Sequence, residues 1–472
     1  MIRLLNAYFP ARTVFLGVSE ACLIALAFLA ATITRLGSND ATLMLSYEQG
    51  FFKILIVAGA FIICMYYFDL YDSSILRNRR EVVTRLIQVL GTATIVLAVL
   101  YYAYPPLELG RGIFLIGVGF AAVILFLWRR AFLFIITVPR FADRALIFGD
   151  GPLAAPLIHE FTSRPELGLR VIGQFSATDP VDNENVFAYS NSVGQPTALL
   201  ADHELWRAVQ SQRVNHIIVA MGDRRGRLPV GLLLWLKSRG VLVQDATVVY
   251  EAITGKVPLE SLRLDSLLFS SGFQASPSHL VYNRLISVTV SAAGLLLALP
   301  LFPLVTLALK LNSPGPIFYQ QKRVGLDGTV FNCFKLRTMS VDAEADTGPT
   351  WALDDDPRIT RVGRFLRTVR FDEIPQLWNV LKGDMNLVGP RPERPEFVEW
   401  LNQEIPHYHL RHTIRPGITG WAQVRHEYGN SIEHSREKLR YDLFYIKNMS
   451  PGLDLLILFQ TIKTILLGRG AK

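Results

Sequence analysis

The sequence predicts a mixed membrane protein in three parts: a four-helix transmembrane bundle, a doubly wound α/β domain on the cytoplasmic side, and an α+β domain carrying a re-entrant membrane helix. Three observations predict it. Half of the 472 residues are hydrophobic and 19% are charged, against roughly 25% in ordinary soluble domains. Four apolar runs fall within the first 140 positions, and a fifth begins near residue 285. Between them, short β-type strings alternate with helical ones. The parts are placed at residues 1–140, 141–270 and 271–472, with the re-entrant helix at 283–311.

The four runs cover residues 13–34, 52–70, 86–103 and 112–138. Each approaches the ~20 residues a helix needs to cross a bilayer. The first lacks a small-residue cleavage site and more runs follow it, so it reads as a retained anchor. Glu20 lies inside it, and the preferred reading is an acid near the helix end or facing a neighbouring helix. Arg3 and Arg12 precede the first run, Arg77, Arg79, Arg80 and Arg85 fill the loop after the second, and Arg129, Arg130, Arg140 and Arg144 close or follow the fourth. By the positive-inside rule the N-terminus and everything after the fourth helix are cytoplasmic. Net charge is +8, which suits anionic partners. The three cysteines, Cys22, Cys64 and Cys333, have no metal-ligand spacing and suggest no disulfide framework.

Strands are expected over 144–149, 169–175, 216–221 and 241–245, with helices over 200–209 and 230–238. Such alternation argues for a parallel, Rossmann-like sheet. Gly149-Asp150-Gly151-Pro152-Leu153-Ala154 matches the G-x-G-x-x-A turn that brings a helix N-terminus onto a phosphate. Gln174-Phe175 stands where a ribose-binding acid would, and Asp179 comes late. A structural or regulatory domain is therefore preferred over a dinucleotide site. Residues 182–194 read as a surface loop and 256–279 as a connector.

Residues 285–309 contain no charge and are bounded by Arg284 and Lys310. Positive charge at both ends, with Pro300 and Pro303 between, argues for a helix that enters and leaves by one face. Ser313-Pro314-Gly315-Pro316 is a turn cluster. Residues 317–321 and 330–336 read as a hairpin joined by 325–328. Lys322, Arg323, Lys335 and Arg337 make it basic, either as a solvated face against anionic lipid or as a grip on phosphate. Asp356-Pro357, after Asp354 and Asp355, reads as a turn and cap before a helix over 362–369. Phe371, Ile374, Leu377, Trp378 and Leu381 recur at helical spacing, with Pro375 in the first turn. That puts Asp372 and Glu373 at a helix N-terminus. As caps they would contribute ~1 kcal/mol; as chemistry, Asp372 would be a nucleophile or metal ligand oriented by Glu373. From these residues alone the two readings are even.

The string FDEIPQLWNVLKGDMNLVGPRP, with KLRTM before it and RPGITGWAQV after, closely resembles the bacterial monotopic phosphoglycosyl transferases. The resemblance covers residues 282–467, and the four helices and α/β domain ahead resemble the long forms, such as the undecaprenyl-phosphate galactose or glucose phosphotransferases. It implies that a UDP-sugar gives its sugar 1-phosphate to undecaprenyl phosphate with release of UMP, initiating exopolysaccharide, capsule or O-antigen assembly at the bacterial inner membrane. It implies that Asp372, beside Glu373, attacks the β-phosphorus and becomes an aspartyl phosphosugar, with Mg²⁺ supplying charge neutralisation. It makes Asp442 a metal partner together with Asp372. It makes Arg391 a phosphate or nucleotide contact, and Arg367, Lys335 and Arg337 further substrate-binding positions. A homodimer is implied; no nucleic-acid partner is expected. The family's re-entrant helix commonly breaks at Ser-Pro. Here Pro300 matches the proline and Leu299 replaces the serine.

In the tail, residues 396–411 read as a helix, with His407, His409 and His412 as surface or interface histidines. RPGITGWAQV, residues 415–424, reads as an interfacial or substrate-edge loop, and 453–467 as a helix lying on the membrane. Two alternatives stand beside the transferase. One is a nucleotide-sugar oxidoreductase or epimerase using the glycine turn, which lacks a Tyr-x-x-x-Lys pair. The other is an inactive membrane scaffold, which the intact Asp372, Glu373, Arg391 and Asp442 argue against.

Overall fold

The computed structural model describes residues 1–72, 75–76, 78–138, 142–175, 204–222, 224, 228–261, 273, 276–340, 356, 358–426, 429 and 431–467. Arg77, Arg140, Asp179, the 182–194 loop, Asp354, Asp355 and Pro357 lie outside the described residues, as do 200–203 and most of the connector after 261. The chain divides into two compact units: residues 1–2 with 9–249, and residues 3–8 with 250–472.

The first unit opens with α1 (Ala11–Leu36), α2 (Ser38–Tyr47), α3 (Gly50–Tyr67), α4 (Arg79–Ala103) and α5 (Arg111–Thr137). All four apolar runs are helices; the short α2 was not expected. Helices α1, α3, α4 and α5 share one core that includes Phe28, Val57, Phe61, Val89, Ala93, Leu97 and Leu125. Gly117 lets α1 approach α5, because a Cβ there would stand 2.6 Å from the Phe28 ring. The outer faces expose Phe15, Leu26, Leu55, Ile87, Leu115 and Leu127, as lipid favours and water does not. These four helices and the 277–312 segment of the second unit are the five described that are long and apolar enough to cross a membrane. The chain is a membrane protein.

Glu20 is fully buried and faces Arg129 of α5, with Nε–Oε1 at 2.7 Å and Nη2–Oε2 at 3.0 Å. Arg129 also donates to the Leu70 carbonyl at 2.8 Å. The acid thus serves helix packing, as its position suggested.

The α/β part follows as β1 (Asp143–Phe148), α6 (Ala154–Ser163), β2 (Leu169–Phe175), α7 (Glu204–Ser211), β3 (His216–Val219), α8 (Val230–Ser238) and β4 (Leu242–Asp245). The sheet is parallel in the order β2-β1-β3-β4, so the strand order reverses direction at β1. Leu146, Phe148, Ile217 and Val219 bury against Leu205, Leu232 and Leu236. The glycine turn has a local explanation. Gly149 has φ +107°, and a Cβ on Gly151 would lie 2.5 Å from the Ala220 carbonyl oxygen, to which the Gly151 N–H donates at 2.7 Å. Both glycines are needed for β1 to close on the end of β3.

The second unit begins with α10 (Pro277–Ala298) and α11 (Phe302–Asn312), after α9 (Ala246–Thr254). Pro300 lies in a 3₁₀ turn, Leu299–Leu301, between them. The break is milder than the prolines suggested. Ala298 and Leu301 keep right-handed helical angles. Pro300 and Pro303 each stand at the start of the next turn, where a missing N–H costs no helical bond. The hairpin is β5 (Phe318–Val324) and β6 (Val330–Leu336), antiparallel, and its first strand runs on through Lys322 and Arg323. Then come α12 (Arg361–Thr368), α13 (Gln376–Lys382), β7 (Asn386–Val388), α14 (Pro395–Glu404), β8 (Gly417–Thr419), α15 (Trp421–Arg425), α16 (Ile432–Asn448) and α17 (Pro451–Leu466).

Helix α10 carries a stripe that hydropathy hides. His279, Asn283, Ser287 and Ser291 recur every fourth residue and are all buried. Asn283 donates to Asp454 at 2.8 Å, and the Ser287 hydroxyl accepts from the Leu387 N–H at 3.0 Å. Arg284 reaches the carbonyls of Val380 and Leu381, at 2.6 and 3.0 Å, where α13 ends with its dipole negative. Three expectations need correction. The helix over 371–381 is split: Phe371–Glu373 is a 3₁₀ turn and α13 begins only after Pro375. RPGITGWAQV is no edge loop. It supplies β8, which pairs parallel with β7, and Trp421, buried against Phe444 with its Nε1 on the Gly255 carbonyl. The tail helix stops at Glu404, and Tyr408–His412 is a 3₁₀ turn entered through His407 at φ +64°.

Replacing Glu20 by Ala leaves Arg129 buried and uncompensated, a loss of about 3–5 kcal/mol. Thermal melting of detergent-purified protein should show it, with much of the loss recovered in Glu20→Leu/Arg129→Met.

Candidate active site

The site is built on the hairpin, the 371–373 turn and the corner after β7. Along β6, Cys333 and Lys335 share one face by strand alternation, and Arg337 follows directly after the strand. Asn379, fully buried on α13, bonds both ways to the strand: its Oδ1 accepts from the Phe334 N–H at 3.0 Å and its Nδ2 donates to the Asn332 carbonyl at 2.7 Å. That pair of bonds fixes α13, and with it the 371–373 turn, beside Lys335. The turn is entered through Arg370 at φ +58°, a left-handed conformation unusual for a non-glycine residue.

Glu373 Oε1 accepts from Arg391 Nη2 at 2.6 Å and Lys335 Nζ at 3.2 Å. Burial alone would raise its pKa, but Arg391 and Lys335 overcome that and hold it well below the usual carboxylate range. Asp372 differs. It is buried, its Oδ1 has no hydrogen-bond partner, and no side chain caps α13. Burial pushes its pKa up, Lys335 opposes this, Glu373 adds to it, and Arg367 and Arg370 oppose. Two adjacent acids are thus driven apart: Glu373 is a fixed anion committed to cations, while Asp372 is a desolvated carboxyl with an uncommitted oxygen. Helix capping does not account for either.

Of the sequence-predicted residues, the structure gathers Asp372, Glu373, Lys335, Arg367 and Arg391. Arg367 donates through Nε to the Thr338 hydroxyl at 2.9 Å, and its charge acts on Asp372. Arg337 has other partners. Its two terminal nitrogens bind the Pro314 and Ser313 carbonyls at 2.6 and 2.9 Å, tying β6 to the turn that leaves α11. Asp442 pairs with a different cation. Its Oδ2 accepts from Arg411 Nε at 3.1 Å and lies 2.9 Å from Nη2, and burial raises its pKa to about 6 against that charge. Among the described residues no group of three or more His, Cys, Asp or Glu side chains is placed to hold a metal.

The corner Gly389-Pro390-Arg391-Pro392-Glu393 is held along its whole length. Gly389 N–H donates to Thr419 O, Gly417 N–H to Pro390 O, Arg411 Nη2 to Arg391 O, Arg323 Nη1 to Pro392 O and Val324 N–H to Glu393 O, all at 2.9 Å. The two prolines bring no N–H to satisfy. Arg411 was not singled out in the sequence, and no local pattern marks it; Arg323, read as part of the basic hairpin, bonds the corner backbone.

A family described as bacterial sugar transferase matches residues 278–468, which include every residue of this site, and one described as CoA-binding domain matches 66–227. The chain is 42% identical over 224 residues to the UDP-N-acetylgalactosamine-undecaprenyl-phosphate N-acetylgalactosaminephosphotransferase of Aeromonas hydrophila, covering 48% of this chain and 52% of that protein. It is 32% identical over 364 residues to the undecaprenyl-phosphate glucose phosphotransferase of Komagataeibacter xylinus, covering 75% and 65%. It is 45% identical over 183 residues to the UDP-glucose:undecaprenyl-phosphate glucose-1-phosphate transferase of Caulobacter vibrioides, covering 38% and 67%. The match thus spans less than two thirds of the first two of these relatives. The described chain combines helices that suit a membrane, a parallel α/β sheet and a following unit that carries the family match. The chain belongs to the bacterial sugar transferase family.

Lys335→Met removes a charge that holds the Asp372 pKa down, so the acidic limb of the pH profile for kcat/KM should move to higher pH. Gly417→Ala should abolish folded protein, because the new Cβ would lie 2.2 Å from the Gly389 nitrogen; yield after detergent extraction reads it.

Proposed function

We propose that the chain transfers a sugar 1-phosphate from a UDP-sugar to undecaprenyl phosphate, releasing UMP, from the bacterial inner membrane with its site on the cytoplasmic side. The observation that carries this is Asp372: a buried carboxyl with an uncommitted Oδ1, set among Lys335, Arg367 and Arg370 while its neighbour Glu373 is tied to Arg391. A desolvated carboxylate is a stronger nucleophile than a hydrated one and needs no base to activate it. Asp372 attacks the β-phosphorus; the new O–P bond replaces the bond to the bridging oxygen, whose electron pair leaves with UMP. An oxygen of undecaprenyl phosphate then attacks the same phosphorus and returns the carboxylate. No net proton transfer is required. The basic side chains stabilise the charge that spreads over the phosphoryl oxygens.

Asp372 Oδ1, buried and unpartnered, also suits a hard cation. Asp372 would hold Mg²⁺, which would supply charge neutralisation for the diphosphate.

Helices α10 and α11 act in this reading as one re-entrant element. Arg284 and Ser287 before the 3₁₀ turn, and Leu309 after it, all pack on the catalytic unit. At the turn, Leu296, Leu297 and Leu299 are 71%, 76% and 62% exposed. A spanning helix would put its two ends on opposite sides of the bilayer, where one folded unit could not meet both.

Full-length protein in detergent, given Mg²⁺, undecaprenyl phosphate and a panel of UDP-glucose, UDP-galactose and UDP-N-acetylgalactosamine, should release UMP with at least one donor. Asp372→Asn should lower the rate by about 10³-fold or more. Release that survives this substitution contradicts the role of Asp372, and no release with any donor contradicts the function. A cysteine placed near the C-terminus should resist membrane-impermeant reagent in intact cells; labelling there would make α10–α11 a spanning segment.

A further inference from the structure

We propose that Arg411 is a positioning residue for the transfer, clamped by Asp442 and Tyr408 so that it sets the Arg391 backbone and thereby the Arg391–Glu373 pair. The inference rests on the transferase reading and gives Asp442 a role other than holding a metal.

The clamp uses the whole guanidinium. Nε donates to Asp442 Oδ2 at 3.1 Å, with Nη2 in ion-pair contact with the same oxygen at 2.9 Å; Nη1 donates to the Tyr408 hydroxyl at 2.6 Å, and Nη2 donates to the Arg391 carbonyl at 2.9 Å. Arg411 and Asp442 are 4% and 2% exposed. A planar cation with three partners in fixed directions has little freedom left. Its contact with the corner is to main chain, so it acts on where Arg391 starts, while Glu373 decides where the Arg391 side chain ends. Residues 411, 442 and 391 come from the 3₁₀ turn, α16 and the corner after β7, and together with Glu393, Gln423, His426 and Lys438 they line one cavity. Arg391 is therefore the link between that cavity and the acidic pair.

The chemistry of Asp442 fits a clamp better than a ligand. A metal ligand offers its oxygens to the ion, whereas Asp442 Oδ2 accepts from Nε of a permanent cation and pairs with its Nη2. The charges that act most on Asp442 are Arg411, Lys438 and Glu393, and those that act most on Asp372 are Lys335, Glu373, Arg367 and Arg370.

The test uses full-length protein and compares Arg411→Lys, Asp442→Asn and Tyr408→Phe with wild type, measuring kcat, KM for the UDP-sugar and the Mg²⁺ concentration at half-maximal rate, together with UDP binding by calorimetry. Arg411→Lys should raise KM about tenfold and weaken UDP binding to match, with half-saturating Mg²⁺ within about twofold of wild type. Asp442→Asn should do the same, and the double variant should be no worse than the worse single, because both act on one unit. Tyr408→Phe, which deletes one hydroxyl, should give a smaller effect in the same direction and serves if the charged variants do not fold. A tenfold rise in half-saturating Mg²⁺ for Asp442→Asn alone would make Asp442 a metal ligand and overturn the proposal. So would lower melting temperatures with KM and UDP binding unchanged. A wild-type protein that neither releases UMP nor binds UDP overturns the transferase reading itself, and the positioning role with it.

Discussion

Two adjacent carboxyl groups, Asp372 buried and Glu373 half-buried, share one turn, and their mutual repulsion is the constraint around which the second unit is arranged. Water screens them little there. The protein answers with cations of unequal reach: Arg391 and Lys335 bond Glu373, while Lys335, Arg367 and Arg370 act on Asp372 through space. The asymmetry is what makes the pair useful. A dyad with both acids fully paired would be inert, and one with neither paired would not fold. Fixing one lets the other keep an oxygen free.

Each cation in turn depends on a structural element. Lys335 stands on the hairpin, whose position against α13 is set by Asn379. Arg391 stands on a corner whose five residues are each bonded through their backbone. Arg337, which looks equivalent to Lys335 in the sequence, spends its hydrogen bonds on Ser313 and Pro314. It holds the hairpin to the chain emerging from α11. Placement relative to the membrane and placement of the acidic pair are therefore coupled through one strand. The polar stripe of α10 adds to this: a helix with apolar leucines outward and His279, Asn283, Ser287 and Ser291 inward suits a segment with lipid on one face and folded protein on the other.

Much of this was legible in the sequence where the signal is local. The four leading helices, the parallel strands and the hairpin follow from hydropathy and period, and the Asp-Glu pair from the motif that contains it. What was not legible is what depends on partners distant in the chain. Arg411 meets Arg391 across 20 residues, and Asn379 meets Asn332 across 47. Nothing near either residue announces the contact. Trp421 in a Pro/Gly stretch looked like an edge aromatic, yet strand pairing with β7 draws it into the core. The 371–381 periodicity was real, but Pro375 stands between the 3₁₀ turn that holds the acidic pair and α13, and Arg370 in the left-handed region sets the entry to that turn.

The central claim is that Asp372 becomes covalently attached to the sugar phosphate. Intact-protein mass spectrometry after incubation with a UDP-sugar and Mg²⁺, and no lipid acceptor, tests it most directly. The expected result is a mass increase of one sugar phosphate, mapped by peptide analysis to Asp372, which disappears when undecaprenyl phosphate is added. UMP release that strictly requires the acceptor, with no adduct formed in its absence, would contradict it.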